Sequence, residues 1–245
     1  MTLPPWLAEY ADARGVGRLV DYTMLRPDAT WADVARLCDE AMAAELVAVC
    51  VNGGWVRRCV ERLQGTPVRV AAVVGFPLGA GSSAAKAAES GIAAGDGAAE
   101  LDMVISLGAA KAGEWQAVQD DVSAVVAAAP RALVKVILET SLLSPEEIGK
   151  ACDASRRGGA TFVKTSTGFH ASGGATVDAV AAMRRTVGPR FGVKASGGIR
   201  TADAVVAMLL AGANRLGASS LAGFTELVGP GAAPLGELLE ARATA

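Results

Sequence analysis

Asp102, Lys164 and Lys194 each interrupt an apolar run of the chain. A carboxylate beside two amines suits covalent carbonyl chemistry. One amine condenses with an aldehyde, the second keeps the first neutral, and the carboxylate moves protons. An unperturbed lysine, with a pKa of about 10.4, has only about 0.1% of its amine neutral near pH 7.4. A nucleophilic lysine therefore needs that pKa lowered by roughly three units, about 4 kcal/mol, through burial and a nearby positive charge. Lys164 is the candidate nucleophile, Lys194 the tuning charge and Asp102 the proton relay. Asp21, Thr23, Glu100, Lys135 and Glu139 also break apolar runs. Thr23, Ser196 and Asp21 are candidates to line the pocket, and Lys135 stands between structural partner and proton relay. The plainer reading is a buried salt-bridge network, because structural ion pairs also perturb pKa values. Several charges late in parallel strands favour the chemical reading.

Two further segments suit an anion. Lys194-Ala195-Ser196-Gly197-Gly198-Ile199-Arg200 and Leu216-Gly217-Ala218-Ser219-Ser220 each set glycine at a strand-to-helix turn. Barrel phosphate sites commonly form from the loops after the seventh and eighth strands, with backbone N–H groups as donors. Glycines of this kind also simply make turns.

The elements that must position these residues are short. Strand-like runs at residues 19–25, 46–51, 68–76, 98–105, 132–138, 161–164, 191–195 and 214–218 alternate with Ala-rich amphipathic stretches. Eight such units predict one (β/α)8 barrel domain over residues 1–245. A doubly wound open sheet fits the same alternation, since periodicity does not show closure. Ser144-Pro145-Glu146-Glu147 reads as a capping box, with weaker helix starts at Thr30 with Asp33 and Thr201 with Asp203. Residues 6–13 predict a short extra helix before the first strand.

Lys plus Arg total 23 against 25 Asp plus Glu, a net charge of −2 that argues against a nucleic-acid partner. Any anionic ligand must then be held locally. The opening Met1-Thr2-Leu3-Pro4-Pro5 lacks the features of a signal peptide, and no apolar run reaches the ~18 residues needed to span a bilayer. The four cysteines, Cys38, Cys50, Cys59 and Cys152, show no Cys-x-x-Cys spacing. A cytoplasmic protein with free thiols is expected, not a membrane one. His170 is the only histidine, so a metal site of two or three histidines cannot form within the chain. It lies in a glycine-rich turn and is a weak candidate catalyst, while Cys50 reads as a small core residue.

With these segments in view, the chain resembles the deoxyribose-phosphate aldolase family. The resemblance runs through Asp21-Tyr22-Thr23-Met24-Leu25, Val74-Gly75-Phe76-Pro77-Leu78-Gly79, Glu100-Leu101-Asp102-Met103-Val104 and Val134-Lys135-Val136-Ile137-Leu138-Glu139-Thr140. It continues in Phe162-Val163-Lys164-Thr165-Ser166-Thr167-Gly168-Phe169, Val193-Lys194-Ala195-Ser196-Gly197-Gly198-Ile199 and Arg215-Leu216-Gly217-Ala218-Ser219-Ser220. It implies a Schiff-base aldolase of deoxyribose phosphate catabolism, cleaving 2-deoxy-D-ribose 5-phosphate to D-glyceraldehyde 3-phosphate and acetaldehyde. No metal and no cofactor is implied, and a homo-oligomer, most simply a dimer, is expected. Lys164 matches the imine lysine, Lys194 its tuning partner and Asp102 the relay. Gly168, Gly197, Gly198, Gly217, Ser219 and Ser220 fall at the expected phosphate site, beside Thr23 and Ser196. Three departures stand out: Tyr22 where His is common, Phe169 where some members carry Lys, and no Tyr in the closing Arg242-Ala243-Thr244-Ala245. A different lysine-imine lyase, a sugar-phosphate binding protein without turnover and, least favoured, a metal-dependent aldolase are the alternatives.

Overall fold

A computed structural model describes residues 3–171 and 173–243. Met1 and Thr2 of the opening segment, Ser172 of the turn after His170, and Thr244 and Ala245 of the tail lie outside the described residues. Eight strands follow one another: β1 (Val20–Met24), β2 (Ala48–Val51), β3 (Arg69–Val74), β4 (Glu100–Val104), β5 (Leu133–Ile137), β6 (Phe162–Lys164), β7 (Gly192–Ser196) and β8 (Arg215–Ala218). Each pairs in parallel with the next, and β8 returns to β1, so the sheet closes into a barrel. Closure decides against the open sheet, and the strands start within two residues of the expected runs.

The helices are α1 (Trp31–Ala43), α2 (Val56–Arg62), α3 (Ser83–Gly95), α4 (Leu107–Lys111), α5 (Trp115–Ala128), α6 (Pro145–Arg157), α7 (Val177–Val187), α8 (Ala202–Ala211) and α9 (Leu235–Ala243). Ser144 and Glu147 form the expected capping box on α6. Thr30 and Asp33 form a full box on α1, a stronger start than their sequence suggested. Thr201 caps α8 by accepting from the Ala204 N–H. The expected N-terminal helix is a 3-10 turn, Pro5–Tyr10, with proline at its first position. Among the described residues, no helix is long and apolar enough to cross a membrane.

Strand alternation divides the molecule into two interiors. Outward residues such as Val49, Val70, Leu101, Met103, Val136 and Leu216 join the helices in one large apolar core. Each fully buried side chain of this kind contributes roughly 1.5–3 kcal/mol. Inward positions are different: Leu25, Cys50, Ala71 and Val73 form a small separate cluster with Phe76 packed on it. The charged residues Asp21, Glu100, Asp102, Lys135, Lys164, Lys194 and Arg215 share this inward face with small and apolar residues such as Ala48, Val104, Ile137 and Gly217, as the two-residue period of a strand requires.

Candidate active site

Lys164 is the last residue of β6, while Asp102 and Lys194 sit at the centres of β4 and β7. The register places Lys164 beside Lys194 and Asp102 beside Lys135. Lys164 Nζ donates to Asp102 Oδ2 at 2.6 Å, and Lys194 Nζ donates to the same oxygen at 2.8 Å. Lys194 also pairs with Asp21. Lys135 Nζ reaches Asp102 Oδ1 at 2.8 Å, Glu100 Oε2 at 2.5 Å and Asp21 Oδ2 at 3.3 Å. Arg215 Nη1 closes the lower side, 2.7 Å from Asp21 Oδ1 and 3.2 Å from Glu100 Oε2. The three candidate catalytic residues are thus brought together, on a floor of Asp21, Glu100, Lys135 and Arg215.

Charge does not balance in this cluster. Asp21, Glu100 and Asp102 face Lys135, Lys164, Lys194 and Arg215, all of them buried. Four buried cations outnumber three buried carboxylates, and half-exposed Arg69 also lies 3.2 Å from Glu100 Oε1, so the cluster favours loss of a proton from one of its amines. Burial, then the charge of Lys194, hold the Lys164 amine below the ordinary lysine range, although Asp102 pulls the other way. Burial also opposes charge on Lys194, but Asp102 and Asp21 outweigh it and hold that amine above its ordinary value. Lys135 behaves likewise against Asp102, Asp21 and Glu100. Burial alone would raise Asp102; Lys135, Lys164 and Lys194 together hold it well below the usual carboxylate range. Lys164 is therefore the amine poised to be neutral, and it lies buried at the C-terminal end of its strand. Such an amine can attack a carbonyl.

The loops above the cluster pack backbone against backbone. Gly168, Gly197 and Gly198 have φ of +80°, +86° and +80°, which favours glycine. A Cβ on Gly197 would lie 3.0 Å from Gly174 Cα and 3.6 Å from Gly168 Cα. Ser196 Oγ donates to the Ser166 carbonyl at 2.6 Å, tying the β7 end to the β6 loop. Ser219 and Ser220 are exposed just after β8. Thr23 Oγ1 donates to the Asp21 carbonyl at 3.1 Å. Gly217 differs from its expected place in a loop: it lies inside β8, where a Cβ would come 2.8 Å from Ser196 Cβ and 3.2 Å from Lys194 Cε. A surface cavity of about 540 Å3 beside Ser220 and Tyr22 has none of the ionic cluster in its lining.

Tyr22 points away from the cluster. Its hydroxyl donates to Glu40 Oε2 on α1 at 2.6 Å, and burial with that bond pushes the phenol up to about 12. It therefore supports α1, not the surroundings of Asp21. Phe169 is half exposed at the barrel mouth, edge-on to Phe76 with centroids 5.2 Å apart. The Cys50 thiol, pushed up to about 11 by burial and then by Asp102, packs as a small core group. From sequence, Arg215 enters only as part of a motif; a charge inside the apolar run at 214–218 is the signal that could have found it.

The DeoC/LacD family aldolase profile matches residues 18–228. The chain is 51% identical to a deoxyribose-phosphate aldolase of Brevibacillus brevis over 84% of this chain and 92% of that protein. It is 53% identical to deoxyribose-phosphate aldolase 1 of Cutibacterium acnes over 84% of this chain and 94% of that one. Among solved structures, a deoxyribose phosphate aldolase from Aeropyrum pernix, described as tetrameric, superposes with a TM-score of 0.80 at 34% identity, covering 86% of this chain and 89% of that chain. Profile, relatives and barrel agree, and the chain belongs to the DeoC/LacD family of aldolases.

Proposed function

We propose that this protein is a Schiff-base aldolase that reversibly cleaves 2-deoxy-D-ribose 5-phosphate to D-glyceraldehyde 3-phosphate and acetaldehyde. The observation that carries it is the Lys164 amine: held below the ordinary lysine range, hydrogen-bonded to Asp102 and placed at the C-terminal end of its barrel strand. In this reading, Lys164 Nζ attacks C1 of the open-chain sugar, and loss of water gives a protonated imine. Asp102, with a water, takes the proton of the C3 hydroxyl as the C2–C3 bond breaks. The bond pair flows into the imine as an enamine, and C3 leaves as the aldehyde of glyceraldehyde 3-phosphate. Protonation of the enamine carbon and hydrolysis release acetaldehyde and the free amine. Burial, with the positive charge of Lys194, holds the Lys164 amine below its ordinary range between turnovers.

Gly168, Gly197 and Gly198, with Ser219 and Ser220, hold the phosphate in this reading through backbone N–H groups and hydroxyls. Thr23 and Ser196 line the sugar. Gly217 serves them by leaving room for Lys194 and Ser196. We place the enzyme in the cytoplasm, in deoxyribose phosphate catabolism, consistent with four unpaired buried cysteines. A homodimer is proposed as its simplest assembly, and light scattering on the purified chain tests that.

The test of function is product analysis. Incubation with 2-deoxyribose 5-phosphate is expected to release acetaldehyde and glyceraldehyde 3-phosphate in equal amounts. A panel in which a keto-acid or ketose phosphate is cleaved and this sugar is untouched would assign a different imine lyase.

A further inference from the structure

Glu139 is placed where a glutamate gains nothing locally. It lies just beyond β5, not within the fifth strand as its sequence suggested, and has φ +53° and ψ +62°. Side chains with a Cβ rarely adopt that left-handed conformation, so surrounding contacts must hold it there. The hydrogen bonds on either side show how it arises. Leu138 N–H donates to the Lys164 carbonyl and Thr140 N–H to the Thr165 carbonyl, each at 2.9 Å. The β5 end advances two residues while the β6 end advances one, so Glu139 is the extra residue of a bulge. Bulges at barrel rims re-aim a side chain.

The re-aimed carboxylate is buried and is committed to one neighbour. Its Oε2 accepts the Thr167 N–H at 3.1 Å and the Thr167 hydroxyl at 2.5 Å. That hydroxyl accepts in turn from the Phe169 N–H at 3.1 Å. The relay fixes the hydroxyl proton toward Glu139 and leaves an oxygen lone pair for Phe169. Gly168, at φ +80°, is held between the two anchored residues. On the other side, Thr165 N–H donates to the Lys194 carbonyl at 3.0 Å. The segment from Lys164 to Phe169 is thus fastened at both ends, and Glu139 is the only side chain outside that segment seen to bind Thr167 among the described residues. Glu139 Oε1, also buried, has no partner there.

We propose that Glu139 is a positioning residue that sets the loop after β6, and with it the Gly168 N–H, for the phosphate of a phosphorylated sugar. This rests on the reading above that these loops hold phosphate. Glu139 touches no reacting atom. It acts through Thr167, and its effect falls on recognition of the phosphorylated end more than on bond cleavage at Lys164.

The test compares 2-deoxyribose 5-phosphate with unphosphorylated 2-deoxyribose as substrates for the full chain. Glu139→Ala is expected to raise KM for the phosphorylated sugar about tenfold, the loss typical of a charged hydrogen-bond acceptor. Its kcat is expected to stay within about threefold, as is kcat/KM for 2-deoxyribose. Thr167→Val, which keeps the side-chain volume and the Glu139 backbone, is expected to shift the ratio in the same direction. Glu139→Gln, whose amide oxygen can accept both bonds, is expected to restore most of the preference. If the alanine variant does not fold, Thr167→Val decides. A preference for the phosphorylated sugar that survives the folded variants overturns the role of Glu139 alone. Equal losses on both substrates also overturn it. An unmodified protein with no preference overturns the phosphate reading, and this inference with it.

Discussion

Two buried lysine–aspartate clusters serve this protein differently. Beneath α3 and α5, Lys86 donates to Asp121 Oδ2 at 2.5 Å and to the Val104 carbonyl at 2.9 Å. Ser83 donates to the other Asp121 oxygen at 2.8 Å. Charges match one to one, both carboxylate oxygens are used, and the pair is sealed in the helical layer. Inside the barrel, Asp102 is shared among Lys135, Lys164 and Lys194, and cations outnumber carboxylates. A closed pair fixes helices. A cluster with an excess of cations holds an amine ready to lose its proton. Burial is common to both; stoichiometry sets them apart.

The largest effect expected from breaking this contrast is at the unbalanced end. Lys164→Met is expected to lower kcat by about three orders of magnitude or more, measured by acetaldehyde release, because the neighbouring amines of Lys135 and Lys194 are held above their ordinary pKa by their carboxylates. Lys194→Leu is next, with a loss of about a hundredfold. The sign of its pH effect follows from charge. Lys194 helps to hold the Lys164 amine below its ordinary range, so removing it raises that pKa. The acidic limb of the activity–pH profile is expected to move to higher pH, and an unmoved limb would argue against tuning.

The sealed pair predicts the reverse. Lys86→Met leaves Asp121 buried without its cation and is expected to cost about 3 kcal/mol of stability in denaturant unfolding. Its kcat is expected to remain within about threefold. Gly217→Ala is the smallest change, pressing a methyl on Ser196 and Lys194. A stability loss of about 1–3 kcal/mol is expected from overpacking, with reduced turnover as Lys194 shifts.

Much of this was legible in the sequence because the two-residue strand period carries it. Asp102, Lys164 and Lys194 broke apolar runs at positions that the barrel turns inward, and the glycines of the β6 and β7 loops announced their turns. The strands also read at nearly their true limits. What the sequence left open depends on closure. Asp21 of β1 and Lys194 of β7 are 173 residues apart and meet only because β8 returns to β1. The place of Arg215 in the floor needs the same closure. Lys135, undecided from sequence, stands at the centre of the cluster because its register neighbour is Asp102. Glu139 read as a strand residue because a one-residue bulge leaves no mark on composition.

The central claim is that Lys164 forms the imine, and trapping tests it directly. The protein would be incubated with 2-deoxyribose 5-phosphate and borohydride, its intact mass measured and the modified peptide mapped. The expected result is one reduced adduct on Lys164, lost in Lys164→Met and retained in Lys86→Met. An adduct on Lys194 or Lys135, or none from a folded protein that still cleaves the sugar, would contradict the account.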